Sequence, residues 1–139
     1  MIEFHNKTRQ RLVFEKKYTD WVISILDIKN KTAGDICFIF CSDDYLLEIN
    51  RVHLEHDYYT DIITFDYSEK AGLSGDIFIS LDRVKDNSET YGVKFIEELR
   101  RVMAHGVLHL MGYQDGTIES KREMREKEEE ALKMFHVEQ

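Results

Sequence analysis

His105 and His109 stand four residues apart in the run Arg101-Val102-Met103-Ala104-His105-Gly106-Val107-Leu108-His109-Leu110-Met111-Gly112-Tyr113-Gln114-Asp115. On a helix, residues at i and i+4 project from one face, one turn apart. Two imidazoles so spaced can offer two nitrogens to one metal ion. Gly112 follows at plus seven, where a residue with positive φ ends a helix and turns the chain. Asp115 then supplies a carboxylate at plus ten. The ordinary reading, a chance H-x-x-x-H pair in a chain with six histidines, is weakened by the glycine turn and the carboxylate.

First ligand, plus four, turn glycine at plus seven and third ligand at plus ten is the metal spacing of H-E-x-x-H-x-x-G-x-x-H. Gly106 stands where that pattern carries its general-base glutamate, and Asp115 where it carries a third histidine. A glycine inside a helix costs about 1 kcal/mol relative to alanine. Gly106 therefore marks either close approach of a substrate or another segment, or tight helix packing. Val102, Met103, Ala104, Val107, Leu108, Leu110 and Met111 make this helix apolar on nearly every side. It belongs in a core, where imidazoles need partners.

A chain of 139 residues fits a single domain, 1–139, with one core. Apolar content of 42% with 12% aromatic residues is globular. No run of eighteen apolar residues is present, so no membrane span is expected. The start, Met1-Ile2-Glu3-Phe4-His5, lacks the layout of a signal peptide, which makes the cytoplasm the expected location. Cys37 and Cys41 read as reduced, buried apolar residues, because four residues of strand cover ~13 Å, too far for a disulfide. A formal charge of −8 argues against generic nucleic-acid binding. It leaves room for a local basic groove, since many of the acids sit in one C-terminal helix.

Ile2 and Phe4 alternate with polar neighbours as in a short strand. From Thr8 to about Lys29, Leu12, Val13, Trp21, Val22, Ile25, Leu26 and Ile28 suit one long or two short helices, ended before Gly34. Asp35 to Cys41 is the nearly continuous apolar run of a strand covered on both faces. Ser42 caps a helix fading near His53, and 54–59 is a loop with two histidines nearby. Asp61 to Tyr67 and Asp76 to Ser80 read as antiparallel partners joined through Ser68–Gly72. Ser80 or Asp82 caps a helix through Glu89, and Gly92 separates it from the central helix, about Val93 to Met111. Thr117 caps a last, charge-rich helix, Ile118 to about Phe135, whose apolar stripe is Met124, Ala131, Leu132 and Phe135. The fold class is α+β: a small mixed sheet of about four strands covered by helices.

Three blocks carry a family resemblance. His105-Gly106-Val107-Leu108-His109-Leu110-Met111-Gly112-Tyr113-Gln114-Asp115 matches H-G-x-L-H-L-x-G-Y-D-H. Thr60-Asp61-Ile62-Ile63-Thr64-Phe65-Asp66 matches T-D-V-L-S-F-P, and Gly75-Asp76-Ile77-Phe78-Ile79-Ser80 matches G-D-I-x-I-S. In these blocks, their order and their spacing, the sequence resembles the YbeY family of bacterial rRNA maturation factors, metal-dependent endoribonucleases with a zincin-like metal helix. The resemblance implies one zinc ion (Zn2+) per chain, with rRNA and ribosomal particles as partners. It places His105, His109 and Asp115 as the metal-binding and catalytic positions. Two departures stand out: Asp115 replaces the family's third histidine, and Leu54 aligns with an arginine associated with RNA handling. Carboxylate is a competent zinc ligand, though an added negative oxygen can shift metal preference.

The implied chemistry is attack on phosphorus by water or by the substrate's own 2′-OH, with the metal lowering the pKa of its water. Asp61 is the acid to test as general base; its alternative role is a turn or strand-end hydrogen bond. Arg51, His53 and His56 can supply the charge missing at Leu54. Arg51, Lys94, Arg100 and Arg101 are candidates for phosphate contacts. Two other functions compete with the endoribonuclease. One is a zincin-like protease, disfavoured by Gly106; the other is a weakly active assembly factor whose metal is structural.

Overall fold

The computed structural model describes residues 1–69 and 72–137. Four strands form one sheet in the order β1-β2-β4-β3, where β1 is Ile2–Asn6, β2 Ala33–Cys41, β3 Ile62–Asp66 and β4 Leu73–Ser80. β1, β2 and β4 run parallel, and β3 pairs antiparallel with β4. The mixed four-strand sheet expected from the sequence is present. The expected link from Ser68 to Gly72 lies partly outside the described residues.

Alternation along each strand divides the side chains between two faces. Ile36, Phe38 and Phe40 of β2, with Ile77 and Ile79 of β4, enter the main core. There they meet helix α1 (Lys16–Asp27), through Trp21, Val22 and Ile25, and helix α4 (Phe95–Leu110), through Leu99, Met103 and Val107. On the other face, Cys41, Ile63 and Phe78 pack with Leu46 of helix α2 (Asp43–Leu54). Helix α3 (Leu81–Tyr91) leads into α4, and helix α5 (Ile118–Val137) lays Met124, Ala131 and Phe135 into the main core. The indole Nε1 of Trp21 donates to the carbonyl of Ala131 at 2.7 Å, tying α1 to α5.

The caps form where side-chain chemistry predicts them. Ser42 Oγ accepts from the Tyr45 amide, and Ser80 Oγ from the Arg83 amide. Asp82, the alternative cap, instead accepts from the Asp43 amide at 2.8 Å. Thr117 Oγ1 accepts from the Ser120 amide at the head of α5.

One expected helix is shorter than the periodicity suggests. Leu12 and Val13 precede α1, which starts at Lys16. The Asn6 side chain accepts from the Thr8 amide and donates to the Gln10 carbonyl, holding this stretch in a turn instead. Phe14 then stacks on Phe4 and Phe40, while Val13 is left exposed. A second correction concerns Cys37: Cys41 is buried as expected, but Cys37 is half-buried, and both are free.

Candidate metal centre

α4 owes its length to good helix formers, with Glu97 and Glu98 in its first turn, where the helix dipole favours negative charge. It stops in a glycine-terminated motif. Gly112 adopts φ 102°, its amide donates to the His109 carbonyl, and the Tyr113 amide donates to Leu108. This reversal sends the chain back along α4. Gly106 solves a different problem. A Cβ there would lie 2.7 Å from Ile77 Cγ2 and 3.0 Å from Ile62 Cδ1. The glycine lets α4 press onto the sheet, so of the two sequence explanations, tight packing accounts for it.

With Gly106 against the sheet, His105 and His109 both face an open cleft of about 940 Å³. Their rings meet edge-on, centroids 4.5 Å apart. The reversal at Gly112 brings Asp115 Oδ2 to 3.3 Å from His105 Nε2 and 3.5 Å from His109 Nε2. One donor atom from each of the three residues lies within 4.8 Å of the others. Two imidazole nitrogens and a carboxylate oxygen form a borderline-soft set that fits zinc.

The second nitrogen of His105 strengthens that fit. Nδ1 lies 2.7 Å from Glu128 Oε2, and Glu128 is almost fully buried. A carboxylate accepting from Nδ1–H fixes the tautomer that leaves the Nε2 lone pair toward a metal. Arg101 Nη1 donates to Glu128 Oε1 at 3.1 Å, and Nη2 donates to Glu129. Burial pushes the His105 pKa down, but the Glu128 hydrogen bond and charge, with Asp115 and Asp61, outweigh it and hold the ring above its ordinary value. This ring sits among carboxylates that favour a cation.

Glu128 was missed by the sequence reading, although it left a trace. Met124, Glu128, Ala131 and Phe135 recur at helical spacing on the buried side of α5. A carboxylate inside an apolar stripe requires a partner, and His105 and Arg101 are those partners.

Asp61 also lines the cleft. Its backbone carbonyl accepts from the Ser80 amide at 2.9 Å, so the strand-end role falls to the main chain. Its side chain takes a 3.4 Å bond from Asn87 Nδ2. Burial pushes this carboxyl up, with the His105 charge opposing. Glu98, also in the cleft and nearly buried, is lifted by burial to about 6 against the pull of Arg101.

The structure divides the six basic candidates. Arg101 and His56 line the cleft, as does Leu54. Arg51 is engaged by Asp57 at 2.6 Å and by Glu48, and His53 lies edge-on to Phe65. Arg100 places its guanidinium 3.8 Å from the Phe135 ring centre and bonds the Tyr18 hydroxyl. Lys94 is the N-cap residue of α4. Arg125, which the sequence reading passed over, lines the cleft beside Arg101. Its only trace in the sequence was its place one turn from Glu128 on α5.

A family model described as Endoribonuclease YbeY matches residues 3–136. The chain belongs to that family. It is 48% identical to the Endoribonuclease YbeY of Flavobacterium johnsoniae over 139 residues, the full length of both. It is 54% identical to that of Azobacteroides pseudotrichonymphae over 114 residues, covering 82% of each chain. It is also similar to the solution structure of TM1509 from Thermotoga maritima, with TM-score 0.70 and 25% identity, covering 99% of this chain and 91% of that one. In this family member, the loop after Gly112 delivers a carboxylate to the two α4 histidines, and Leu54 places an apolar side chain on the cleft wall.

Proposed function

We propose that this chain is a zinc-dependent endoribonuclease that cuts single-stranded RNA during rRNA maturation, acting on ribosomal particles in the cytoplasm. In this reading His105 and His109, through Nε2, and Asp115, through a carboxylate oxygen, hold one zinc ion. The observation that carries the proposal is the His105–Glu128 bond of 2.7 Å, which turns Nε2 toward His109 and Asp115 inside the cleft. When bound, the ion supplies Lewis acidity, drawing charge from a phosphate oxygen and acidifying water. Glu128 keeps the His105 ring in its working orientation, and Arg101 neutralises the Glu128 charge on the side away from the metal.

Asp61 is a cleft carboxylate placed for proton transfer at the reacting oxygens, and burial shifts its pKa upward. Arg125 provides a guanidinium group of the cleft for phosphate contacts, while Arg101 stays paired with Glu128 and Glu129. Tyr58 and Tyr91, exposed where they line the same cleft, offer ring faces to unpaired bases. Family membership and Gly106, in place of the zincin glutamate, favour RNA over protein as substrate. Cleavage of a fluorescent single-stranded RNA, of the matching duplex and of casein tests the proposal. The expected result is cutting of the single strand alone, abolished by a chelator and by His109→Ala. Cutting that survives both treatments overturns it.

A further inference from the structure

A second set of metal-binding side chains lies on the sheet face turned away from α1 and α4. Ile2 and Phe4 of β1 point into the main core, as do Ile36 and Phe38 of β2. By alternation Glu3, His5 and Cys37 project from the opposite face. The parallel register sets Glu3 beside Cys37, with His5 one pleat further along β1. A Glu3 oxygen, a His5 nitrogen and the Cys37 sulfur lie within 4.8 Å of one another. We propose that Glu3, His5 and Cys37 form a second divalent-cation site, suited to zinc, that clips the edge strand β1 to β2.

The donor chemistry sets the ligand class. Thiolate, imidazole and carboxylate together match zinc, whereas magnesium and calcium prefer all-oxygen sites. Glu3 and His5 are exposed, while their backbones are held by strand pairing. The surroundings favour a cation. Asp76 of β4 is the register neighbour of Cys37 on its other side. Burial, with the nearby Asp76 and Glu3 carboxylates, pushes the Cys37 thiol up, so the metal-free side chain carries its proton. On binding, the S–H proton leaves to solvent, a metal–sulfur bond forms, and the ion's charge offsets the two carboxylates. This site shares no residue with His105, His109 and Asp115. Cys41, the other cysteine, is buried and bonded to the Ile79 carbonyl at 3.5 Å.

Cobalt(II) titration of the full chain separates the two sites, because only a thiolate ligand produces a sulfur-to-cobalt charge-transfer band in the near ultraviolet. The expected result, in a His109→Ala background that disables the cleft site, is such a band saturating at one equivalent, lost in Cys37→Ser and retained in Cys41→Ser. Glu3→Gln and His5→Ala should each shift its midpoint to higher cobalt concentration. Circular dichroism establishes that each variant is folded, and zinc should displace the cobalt and erase the band. Absence of the band in wild type overturns the proposal, as does a band that persists in Cys37→Ser. A midpoint unmoved by both Glu3→Gln and His5→Ala also overturns it, leaving a bare thiol. None of these readings depends on RNA cleavage, so failure here is distinguishable from failure of the endoribonuclease proposal.

Discussion

Glu128 meets the cleft's donor cluster through His105 Nδ1 at 2.7 Å, which makes it a direct test of how the site is built. Glu128→Gln keeps an oxygen acceptor of nearly the same shape and removes the charge. Glu128→Ala removes the acceptor altogether. Hydrogen bonds to charged groups contribute about 1.5–3 kcal/mol, and loss of such a partner to a metal-bound histidine typically costs 10–100-fold in affinity. At about 1.4 kcal/mol per tenfold the two ranges agree. The glutamine variant should therefore lose about tenfold in zinc affinity and the alanine variant about a hundredfold. Competition against a chromophoric chelator measures this, in a Cys37→Ser background so that the cleft alone is read. Glu129→Gln is the control. Glu129 also pairs with Arg101, but it does not touch His105 and its side chain is 48% exposed, so its affinity should stay within about twofold of the parent. Wild-type affinity in both Glu128 variants, or an equal loss in Glu129→Gln, would refute the reasoning.

Four further outcomes are expected. Asp115→Ala should lose zinc from the cleft by elemental analysis in the same Cys37→Ser background, while Asp115→His should retain it; zinc kept by the alanine variant makes the aspartate a bystander. Gly106→Ala should be less stable in urea by up to about 2 kcal/mol, since overpacking against Ile77 and Ile62 outweighs the gain of about 1 kcal/mol in helix propensity. Because Glu98 is lifted to about 6 from an ordinary 4.5, the folded chain holds a proton in that window that the unfolded chain has released, and stability falls as pH rises through it. Glu98→Gln should then be more stable than wild type by about 1–2 kcal/mol at pH 7, with the difference closing by pH 4; equal stability at both pH values contradicts this. Trp21→Phe should lose about 1–3 kcal/mol by removing the indole donor from the Ala131 carbonyl, read as a lower unfolding midpoint.

The linear sequence determined whatever rests on short-range chemistry. His105 and His109 share a face because an α-helix has 3.6 residues per turn, and Gly112 ends that helix because a positive φ suits glycine. Ser42, Ser80 and Thr117 cap helices because their hydroxyls reach amides three residues on. The continuous apolar run from Ile36 to Cys41 marked the strand β2, which is buried at each of these positions but Cys37. Where local polar bonds compete with periodicity, as at Asn6 and Thr8, the apolar pattern around Leu12 misled.

Tertiary structure alone decided which distant residues complete each site. Gly106 could mean a substrate approach or a tight interface until Ile77 and Ile62 were found against it. Glu128 lies 23 residues beyond His105, and only the packing of α5 on α4 brings its carboxylate to Nδ1. Arg100 and Arg101 are neighbours in sequence, yet one lies over Phe135 and the other faces the cleft, because successive helix positions point about 100° apart. Glu3 and Cys37 meet only through the register of two strands joined by a helix. Sequence spacing specifies which side chains share a face; what stands opposite that face depends on how the elements pack, and no local pattern encodes it.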